Sequence, residues 1–322
     1  MNKLFAYIAL PLFIIAVSFF AGCDFGKIKS TSTTGEMKLA VDENQEPLMR
    51  AEVLEFERLN QEAKVKIVVD PTNKDLADLI NGDVKTVVSS RTVNEEEKNI
   101  LRNNKTEYKE YPIAVDGIAF VVNLSNPTVR VTSNDLRGIL TGDIKNWSSI
   151  VSQDEEQNKA LKSFSGAGDK ITAFIQRKNS STFDYVKDSI LKGLDYSSSA
   201  VICSTTVQIL EGVRANKGAV GIVSMSWLSK GVQDEIDSTV RALRISKIRD
   251  NGRQEDFREF HQGLLANGNY PYRRTVYLIS TELDIRLSTG FISFMSRTDG
   301  QKIVLKYGLV PVSQPVRTIH LN

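Results

Sequence analysis

Apolar residues recur along this chain in two alternating patterns. Short β-branched runs such as 65–69 are typical of buried strands. Met49, Val53 and Phe56 instead follow the i, i+4, i+7 spacing of one helical face. Further strands are predicted at 38–41, 86–88, 113–122, 219–223 and 275–279, and further helices at 74–80, 133–140, 181–191, 207–215 and through Ile285, Phe291 and Phe294. This rhythm predicts a mainly parallel sheet with helices on both faces.

Several of the predicted helices have recognisable ends. Gly82 and Gly142 each follow a helical stretch and predict where it stops. Asn94, with Glu97 three residues later, predicts a variant of the capping box. Ser133 is predicted to cap the helix that ends at Gly142.

The N-terminus has the pattern of a secretory signal peptide. Lys3 is followed by an apolar stretch at 4–20, which only Pro11 and Ser18 interrupt. The stretch ends in Phe20-Ala21-Gly22-Cys23, which resembles the bacterial lipobox, although Phe20 stands where an aliphatic residue is usual. We therefore expect a signal peptide at 1–22, a lipid-bearing Cys23 and a polar tether at 23–35. An uncleaved membrane anchor is the alternative.

Composition narrows the classes of function. The 322 residues include 41 Lys and Arg and 39 Asp and Glu, a near balance that argues against a nucleic-acid partner. If Cys23 is acylated, Cys203 has no disulfide partner, and we expect it to be a buried, inert thiol. With only two histidines and no ligand spacing around them, no metal site is expected.

Sequence motifs of nucleotide and hydrolytic chemistry are missing from the chain. It has no Walker loop, no Gly-rich dinucleotide fingerprint and no Gly-x-Ser-x-Gly elbow. Gly166-Ala167-Gly168 lacks the third glycine of such a fingerprint and is interpreted as a loop. We therefore expect a protein that is not an enzyme and that needs no cofactor.

Hydroxyl and amide side chains cluster instead where predicted strands pass into helices. Ligands of open α/β sheets bind at these junctions, and helix N-termini there attract anions. Arg and hydroxyl side chains could add donors to an oxyanion. The candidate ligand-binding residues are Asn44, Ser89, Ser90, Arg177, Ser180, Ser181 and Thr182. Taken singly, each of these motifs is weak, because such a motif is more often a plain helix cap than a ligand site.

Asp116 is unusual because it interrupts a long apolar strand, where Asp is disfavoured. One interpretation is a bulge or turn at Asp116-Gly117. The other is functional: a carboxylate inside an anion site repels its ligand unless the ligand brings a proton to donate. Asp116 would then select a protonated oxyanion over one that is fully ionised.

These stretches together resemble the phosphate-binding subunits of ABC importers, the PstS type. The resemblance covers most of the chain after the tether. It rests on Ser90-Arg91-Thr92-Val93, Tyr111-Pro112-Ile113-Ala114-Val115-Asp116-Gly117-Ile118-Ala119, Leu136-Arg137-Gly138-Ile139, Thr141-Gly142-Asp143-Ile144-Lys145-Asn146-Trp147, Arg177 to Thr182, Lys217-Gly218-Ala219-Val220-Gly221-Ile222-Val223 and Tyr270-Pro271-Tyr272-Arg273-Arg274.

The resemblance implies an α/β, two-lobed fold of the periplasmic-binding-protein type II, each lobe a mixed, mostly parallel sheet flanked by helices. We expect one lobe at 36–123 plus 270–322 and the other at 124–269, with a second crossing near 224 as the alternative. The ligand would be inorganic phosphate, handed to ABC permease subunits by a monomer held at the cell envelope through the Cys23 lipid.

The resemblance also implies roles for the candidate residues. Asp116 would accept the proton of the phosphate, and Arg177 would be its charged donor, partly neutralised by a neighbouring acid. Ser180, Ser181 and Thr182 would bind from a helix start, and Ser90 from the other lobe.

Two departures from the family pattern keep other functions open. Ser181 stands where the family usually has glycine, and the first junction carries Asp42-Glu43 in place of hydroxyl residues. The same fold could therefore bind another oxyanion or a phosphorylated small molecule. A phosphatase-class enzyme and a lipoprotein whose cleft has lost its ligand are the remaining alternatives.

Overall fold

A computed structural model describes residues 30–313 of the chain, apart from 153 and 165. The predicted signal peptide at 1–22, the lipid-bearing Cys23 and the first part of the tether lie outside the described residues. Within this part of the chain, no helix combines the length and the apolar character needed to cross a membrane.

Twelve strands are described. They are β1 Gly35–Asp42, β2 Ala63–Asp70, β3 Thr86–Ser89, β4 Lys109–Asn123, β5 Arg130–Thr132, β6 Thr172–Gln176, β7 Val201–Cys203, β8 Ala219–Ser224, β9 Val240–Ala242, β10 Arg244–Ser246, β11 Arg273–Ser280 and β12 Val310–Pro311.

Eleven α-helices are described between and after these strands. They are α1 Glu46–Leu59, α2 Thr72–Asn81, α3 Glu95–Asn103, α4 Ser133–Thr141, α5 Glu155–Ser163, α6 Ser181–Ser189, α7 Thr206–Ala215, α8 Met225–Leu228, α9 Gln262–Ala266, α10 Leu287–Ser296 and α11 Thr298–Lys306. Short 3₁₀ turns lie at Glu43–Gln45, Trp147–Ser149 and Gly166–Gly168.

One sheet, in the order β2-β1-β3-β11-β4-β8-β6-β7, runs through the molecule. Residues 109–117 of β4 pair antiparallel with β11, and residues 118–122 pair antiparallel with β8. We call β2, β1, β3, β11 and 109–117 of β4 the first half-sheet, and 118–123 of β4 with β8, β6 and β7 the second. The outer pairs of both halves are parallel. The predicted mixed α/β architecture is confirmed, with the antiparallel pairs gathered around β4.

The long strand β4 is continuous, so the predicted interruption at Asp116-Gly117 is wrong. The one irregularity of register lies elsewhere in β4: the consecutive residues Val276 and Tyr277 of β11 pair with Ala114 and Pro112, so the extra residue is Ile113. Gly117 is needed for packing rather than for a turn, because a Cβ atom there would lie 2.7 Å from side-chain carbons of Leu265 and Phe260. Asp116 therefore lies inside a buried strand.

The helix ends follow the predicted signals in most places. Gly82 and Gly142 end their helices with positive φ angles of 83° and 85°. Asn94 and Glu97 form the predicted capping box. The cap of α4 is Thr132 rather than Ser133, a shift of one residue within the usual uncertainty of helix boundaries.

The last predicted helix begins later than expected. Ile285 is 80% exposed and precedes α10, which starts at Leu287. Phe291 and Phe294 do face the core, where both rings pack against Phe56 of α1. Cys203 is buried and unpaired, as the sequence predicts.

Glu52 is a buried acid in the helix α1. Neither of its carboxylate oxygens has a hydrogen-bond partner among the described residues. Burial raises its pKa well above the ordinary value, and the charge of Glu55 adds to this effect. A group whose pKa is raised by folding contributes most to stability below its unfolded pKa of about 4.3. That contribution is lost as the pH rises towards the folded pKa.

Glu52→Gln should therefore stabilise the protein relative to the wild type, increasingly so from pH 5 to pH 8. Between the unfolded pKa and the raised folded pKa of Glu52, the gain in the free energy of unfolding should grow by up to about 1.4 kcal/mol per pH unit, because the folded wild type must keep a proton that the unfolded chain releases. Urea denaturation across this pH range measures it. The exposed Glu62→Gln is the control, and a gain for Glu52→Gln that does not change with pH would contradict the assignment.

Candidate functional site

Four strands, two from each half-sheet, end in buried polar residues. They are Asp42 of β1, Ser89 of β3, Gln176 of β6 and Ser224 of β8. Since ligands of open α/β sheets bind beyond the carboxyl ends of parallel strands, this is the place where the fold itself predicts a site.

The junction after β1 is a 3₁₀ turn, Glu43–Gln45. Its cap is Asp42, whose Oδ1 accepts hydrogen bonds from the backbone N of Asn44 at 3.0 Å and from its Nδ2 at 2.8 Å. The cap of this turn is therefore Asp42 and not Asn44. Asn44 instead reaches the second half-sheet, where its Oδ1 accepts from Thr182 Oγ1 and Gln176 Nε2, both at 2.8 Å.

The N-terminus of α6 supplies the opposite wall. Ser180 caps this helix, since its Oγ accepts from the backbone N of Phe183 at 3.1 Å. The next residue, Ser181, donates its hydroxyl to Asp42 Oδ2 at 2.5 Å. Ser180, Ser181 and Thr182 are all buried.

Asp116 and Arg274 form a buried ion pair at the centre of this region. They are register partners across β4 and β11, which holds their side chains side by side. Arg274 donates from Nε and Nη2 to Asp116 Oδ2, both at 3.2 Å, and from Nη1 to Ser181 Oγ at 3.0 Å.

Asp116 also bonds to both half-sheets. Its Oδ1 accepts from Ser224 Oγ and from the backbone N of Met225, each at 3.2 Å. Gln45 Nε2 donates to Oδ2 at 3.1 Å. The carboxylate thus has a donor at each of its oxygens besides the guanidinium of Arg274.

Arg177 lies at the rim of the site. Its side chain is 39% exposed, and its Nη2 lies 3.5 Å from Glu43 Oε2, the neighbouring acid that the family resemblance implies. The Nε atom of Arg177 is buried and has no hydrogen-bond partner among the described residues. A guanidinium with an unused buried donor is suited to a further acceptor.

The structure brings most of the predicted residues together. Asn44, Asp116, Ser181 and Thr182 belong to one hydrogen-bonded cluster. Ser90 joins it by accepting from Gln45 Nε2 at 3.3 Å. The remaining three are Arg177 at the rim, Ser180 in its helix cap, and Ser89, whose hydroxyl donates to the carbonyl of Arg91 in a local turn.

Sequence reasoning missed several members of the cluster: Gln45, Gln176, Thr206, Ser224 and Arg274. The signal for Gln176 and Ser224 was present, because each is a polar residue that ends an apolar strand. Arg274 closes the Tyr270-to-Arg274 motif, yet only its pairing with Asp116 gives it a role.

Four buried acids lie in or next to the site, and their pKa values diverge. Burial alone would raise the pKa of Asp42, but Arg274 and hydrogen bonds from Ser181, Ser90 and Asn44 hold it below its ordinary value. Burial and the charge of Asp42 raise the pKa of Glu43 to about 7. The same two causes raise the pKa of Asp75 to about 9. Burial also raises the pKa of Asp116, against the effect of Arg274.

This arrangement can bind an oxyanion that carries a proton. Two guanidinium groups, several hydroxyls and the start of α6 are donors, and the carboxyl groups are acceptors for a ligand proton. Among the residues that the structure describes, no group of three or more His, Cys, Asp and Glu side chains is placed to hold a metal ion.

Comparisons with known proteins agree with this geometry. The family model described as "PBP superfamily domain" matches residues 29–298. Protein SphX of Synechococcus elongatus is 25% identical over 273 residues, which are 83% of this chain and 74% of that protein. The phosphate-binding protein PstS of Staphylococcus epidermidis is 24% identical over 247 residues, 75% of this chain and 68% of that one.

A Clostridium perfringens protein solved with bound phosphate has the same fold. The TM-score is 0.70 at 23% identity, over 87% of this chain and 100% of the other. The resemblance to the PstS type that the sequence carries is confirmed by these relatives, and so is the periplasmic-binding-protein-like fold.

Replacing the buried arginine should strongly destabilise the protein. Arg274→Met leaves the carboxylate of Asp116 buried without its cation, which should cost about 3–5 kcal/mol of unfolding free energy. Chemical denaturation at pH 7.5 measures the loss. Arg273→Met, at the exposed neighbouring position of β11, is the control and should cost less than about 1 kcal/mol. Equal losses of unfolding free energy in the two variants would show that the buried ion pair stabilises the protein no more than an exposed arginine does.

Proposed function

Because this chain belongs to the PBP superfamily, we propose that it is a binding protein that captures inorganic phosphate between its two half-sheets and delivers it to an ABC permease. The observation that carries the proposal is the buried cluster formed by Arg274 and the hydroxyls of α6, with Arg177 at its rim. The relatives named as phosphate-binding proteins support this choice of ligand.

Each part of the cluster has a proposed role towards phosphate. Ser181, Thr182 and the backbone N–H groups that open α6 bind oxygens of the anion, where the helix dipole favours negative charge. Arg177 supplies a charged donor, and its unused Nε supports this role. Asp116 accepts a ligand proton, which phosphate carries at neutral pH and sulfate does not.

The chain path supports closure of two lobes around the ligand. We propose two lobes close to the expected bounds, 36–123 with 270–322 and 124–269, with the first crossing moved from 123 to about residue 118, where β4 enters the second half-sheet. The strand β4 passes from the first half-sheet into the second, and β11 returns the chain to the first. A connection of this kind lets two bodies rotate about a few residues at strand ends, the usual hinge arrangement of binding proteins.

The second part of the proposal concerns the cellular location of the protein. Acylation of Cys23 would hold a monomeric receptor at the cell envelope, close to the permease that it serves. Such a receptor binds and releases phosphate without chemical change, and the relatives described as binding proteins support this over an enzymatic role.

A phosphorylated small molecule is a second candidate ligand. Thr72 and Asp75, on the first turn of α2, are buried, and their side-chain oxygens have no hydrogen-bond partner among the described residues. A carboxyl group near Asp42 could accept a bond from a ligand hydroxyl. A thermal-shift panel of phosphate, sulfate and phosphate esters separates the two ligands, since the tightest binder gives the largest shift at equal concentration.

Calorimetry tests the phosphate proposal directly. The purified protein should bind phosphate at pH 7.5 and sulfate at least about tenfold more weakly, a difference of about 1.4 kcal/mol. Arg177→Met should weaken phosphate binding at least tenfold, because it removes a charge-assisted hydrogen bond worth about 1.5–3 kcal/mol.

Lys178→Met is the matched control for charge, since Lys178 is exposed beside Arg177. Its affinity for phosphate should stay within about twofold of the wild type. Absence of heat with phosphate, or equal affinity for sulfate, would contradict the proposal. Turnover of a chromogenic phosphate ester that Arg177→Ala abolishes would indicate an enzyme instead.

Lipid attachment is tested by metabolic labelling with a fatty acid and by the mass of the mature N-terminus. The wild type should carry acyl chains, and Cys23→Ser should carry none. Cys203→Ser, at the only other cysteine, should be labelled like the wild type. Label that survives in Cys23→Ser would rule out this anchor.

A further inference from the structure

The carboxylate of Asp42 lies among the donors that the proposed function assigns to the ligand, and the present inference rests on that function. Its Oδ2 accepts a hydrogen bond from the hydroxyl of Ser181 at 2.5 Å, and its Oδ1 accepts hydrogen bonds from the backbone N and the Nδ2 of Asn44. Asp42 is fully buried. It is therefore an anion of the protein itself, held by the residues that would hold an anion from solution.

The hydroxyl of Ser181 has no capacity left in this arrangement. A hydroxyl has one proton to donate and two lone pairs to accept with. The proton of Ser181 is directed at Asp42, and its oxygen accepts from Asn44 Nδ2 at 3.2 Å and from Arg274 Nη1 at 3.0 Å. A phosphate oxygen can receive this proton only after Asp42 has released it.

The neighbouring hydroxyl is engaged in the same way. Thr182 donates its single proton to Asn44 Oδ1, two residues from Asp42. Both hydroxyls at the start of α6 thus point at the β1 junction. These bonds join the end of β1 and the turn that follows it to α6, the helix that follows β6 of the second half-sheet.

We propose that Asp42 is an internal competitor for the anion site: its carboxylate occupies the position of a ligand oxygen and latches the two half-sheets together until phosphate displaces it. Asp42 is thus an affinity-determining residue. The competition lowers the affinity for phosphate below what the donors alone would give, and it eases release of the ligand.

The latch also has a consequence that needs no ligand. Since Asp42 ends β1 of the first half-sheet and Ser181 begins α6, the helix that follows β6 of the second, breaking their bond removes a tie between the two halves. Loss of the carboxylate should therefore allow the halves to separate more widely in phosphate-free buffer.

The experiment compares Asp42→Asn, Asp42→Ser and Asp70→Asn with the wild type, each expressed from the full chain. Asp70 is the register partner of Asp42 at the end of β2, so its replacement changes the charge of the same sheet edge by the same amount. It is bonded to Lys74 rather than to the cluster. Asp42→Ser keeps the test open if the isosteric variant fails to fold.

Calorimetry at pH 7.5 should show phosphate bound at least about tenfold more tightly by both Asp42 variants, and within about twofold of the wild type by Asp70→Asn. Asp42 variants that fold and bind phosphate no more tightly than the wild type would overturn the inference while leaving the proposed function intact.

Small-angle scattering without phosphate keeps the two proposals distinct. If neither the wild type nor any variant binds phosphate, the proposed function fails, and the latch is judged by the radius of gyration alone. A larger radius in both Asp42 variants than in the wild type and Asp70→Asn supports the latch. An unchanged radius overturns it.

Discussion

The guanidinium of Arg274 is buried between the carboxylate of Asp116 and the hydroxyl of Ser181, and the centre of the molecule is arranged around it. A buried charge is tolerated only when it is paired and its hydrogen-bonding groups are satisfied. Arg274 meets this requirement with Asp116 of the first half-sheet and with Ser181, which begins the helix that follows β6 of the second. The constraint therefore fixes more than one side chain, because it sets where β4, β11 and the start of α6 must lie relative to one another.

The strand β4 makes this arrangement possible by belonging to both half-sheets. Its apolar residues on either side of Asp116 are buried, so a polar group inside it must find all of its partners within the protein. Antiparallel pairing with β11 places Arg274 opposite Asp116, and the turn after β8 offers Ser224 and the backbone N–H of Met225. A carboxylate that looks misplaced in a hydrophobic run is thus the best-satisfied acid of the site.

Local sequence patterns predicted those site residues that stand where an apolar strand passes into a helix. The hydroxyls of Ser181 and Thr182 were found because they follow an apolar run and precede a helical one. Arg274 was not, since its partner Asp116 lies 158 residues earlier and only the register of two strands joins them. Asp42 caps the turn after β1, but because it also ends a strand, no local pattern distinguishes it from Asn44 as the cap. Ile285 matched a helical period but is exposed, since sequence spacing does not reveal where the helix begins.

The balance of charge explains why so many acids can share one site. Asp75, with its pKa raised to about 9, is uncharged at neutral pH, and Glu43, at about 7, is only partly ionised. The ionised Asp42 and the paired Asp116 are then offset by Arg274 and Arg177. An incoming dianion would upset this balance unless a carboxylate gave way or a proton arrived with it. On the proposed function, selection for a protonated oxyanion would therefore be a property of the whole cluster, in which Asp116 would take part and Asp42 would set the resistance that a ligand must overcome.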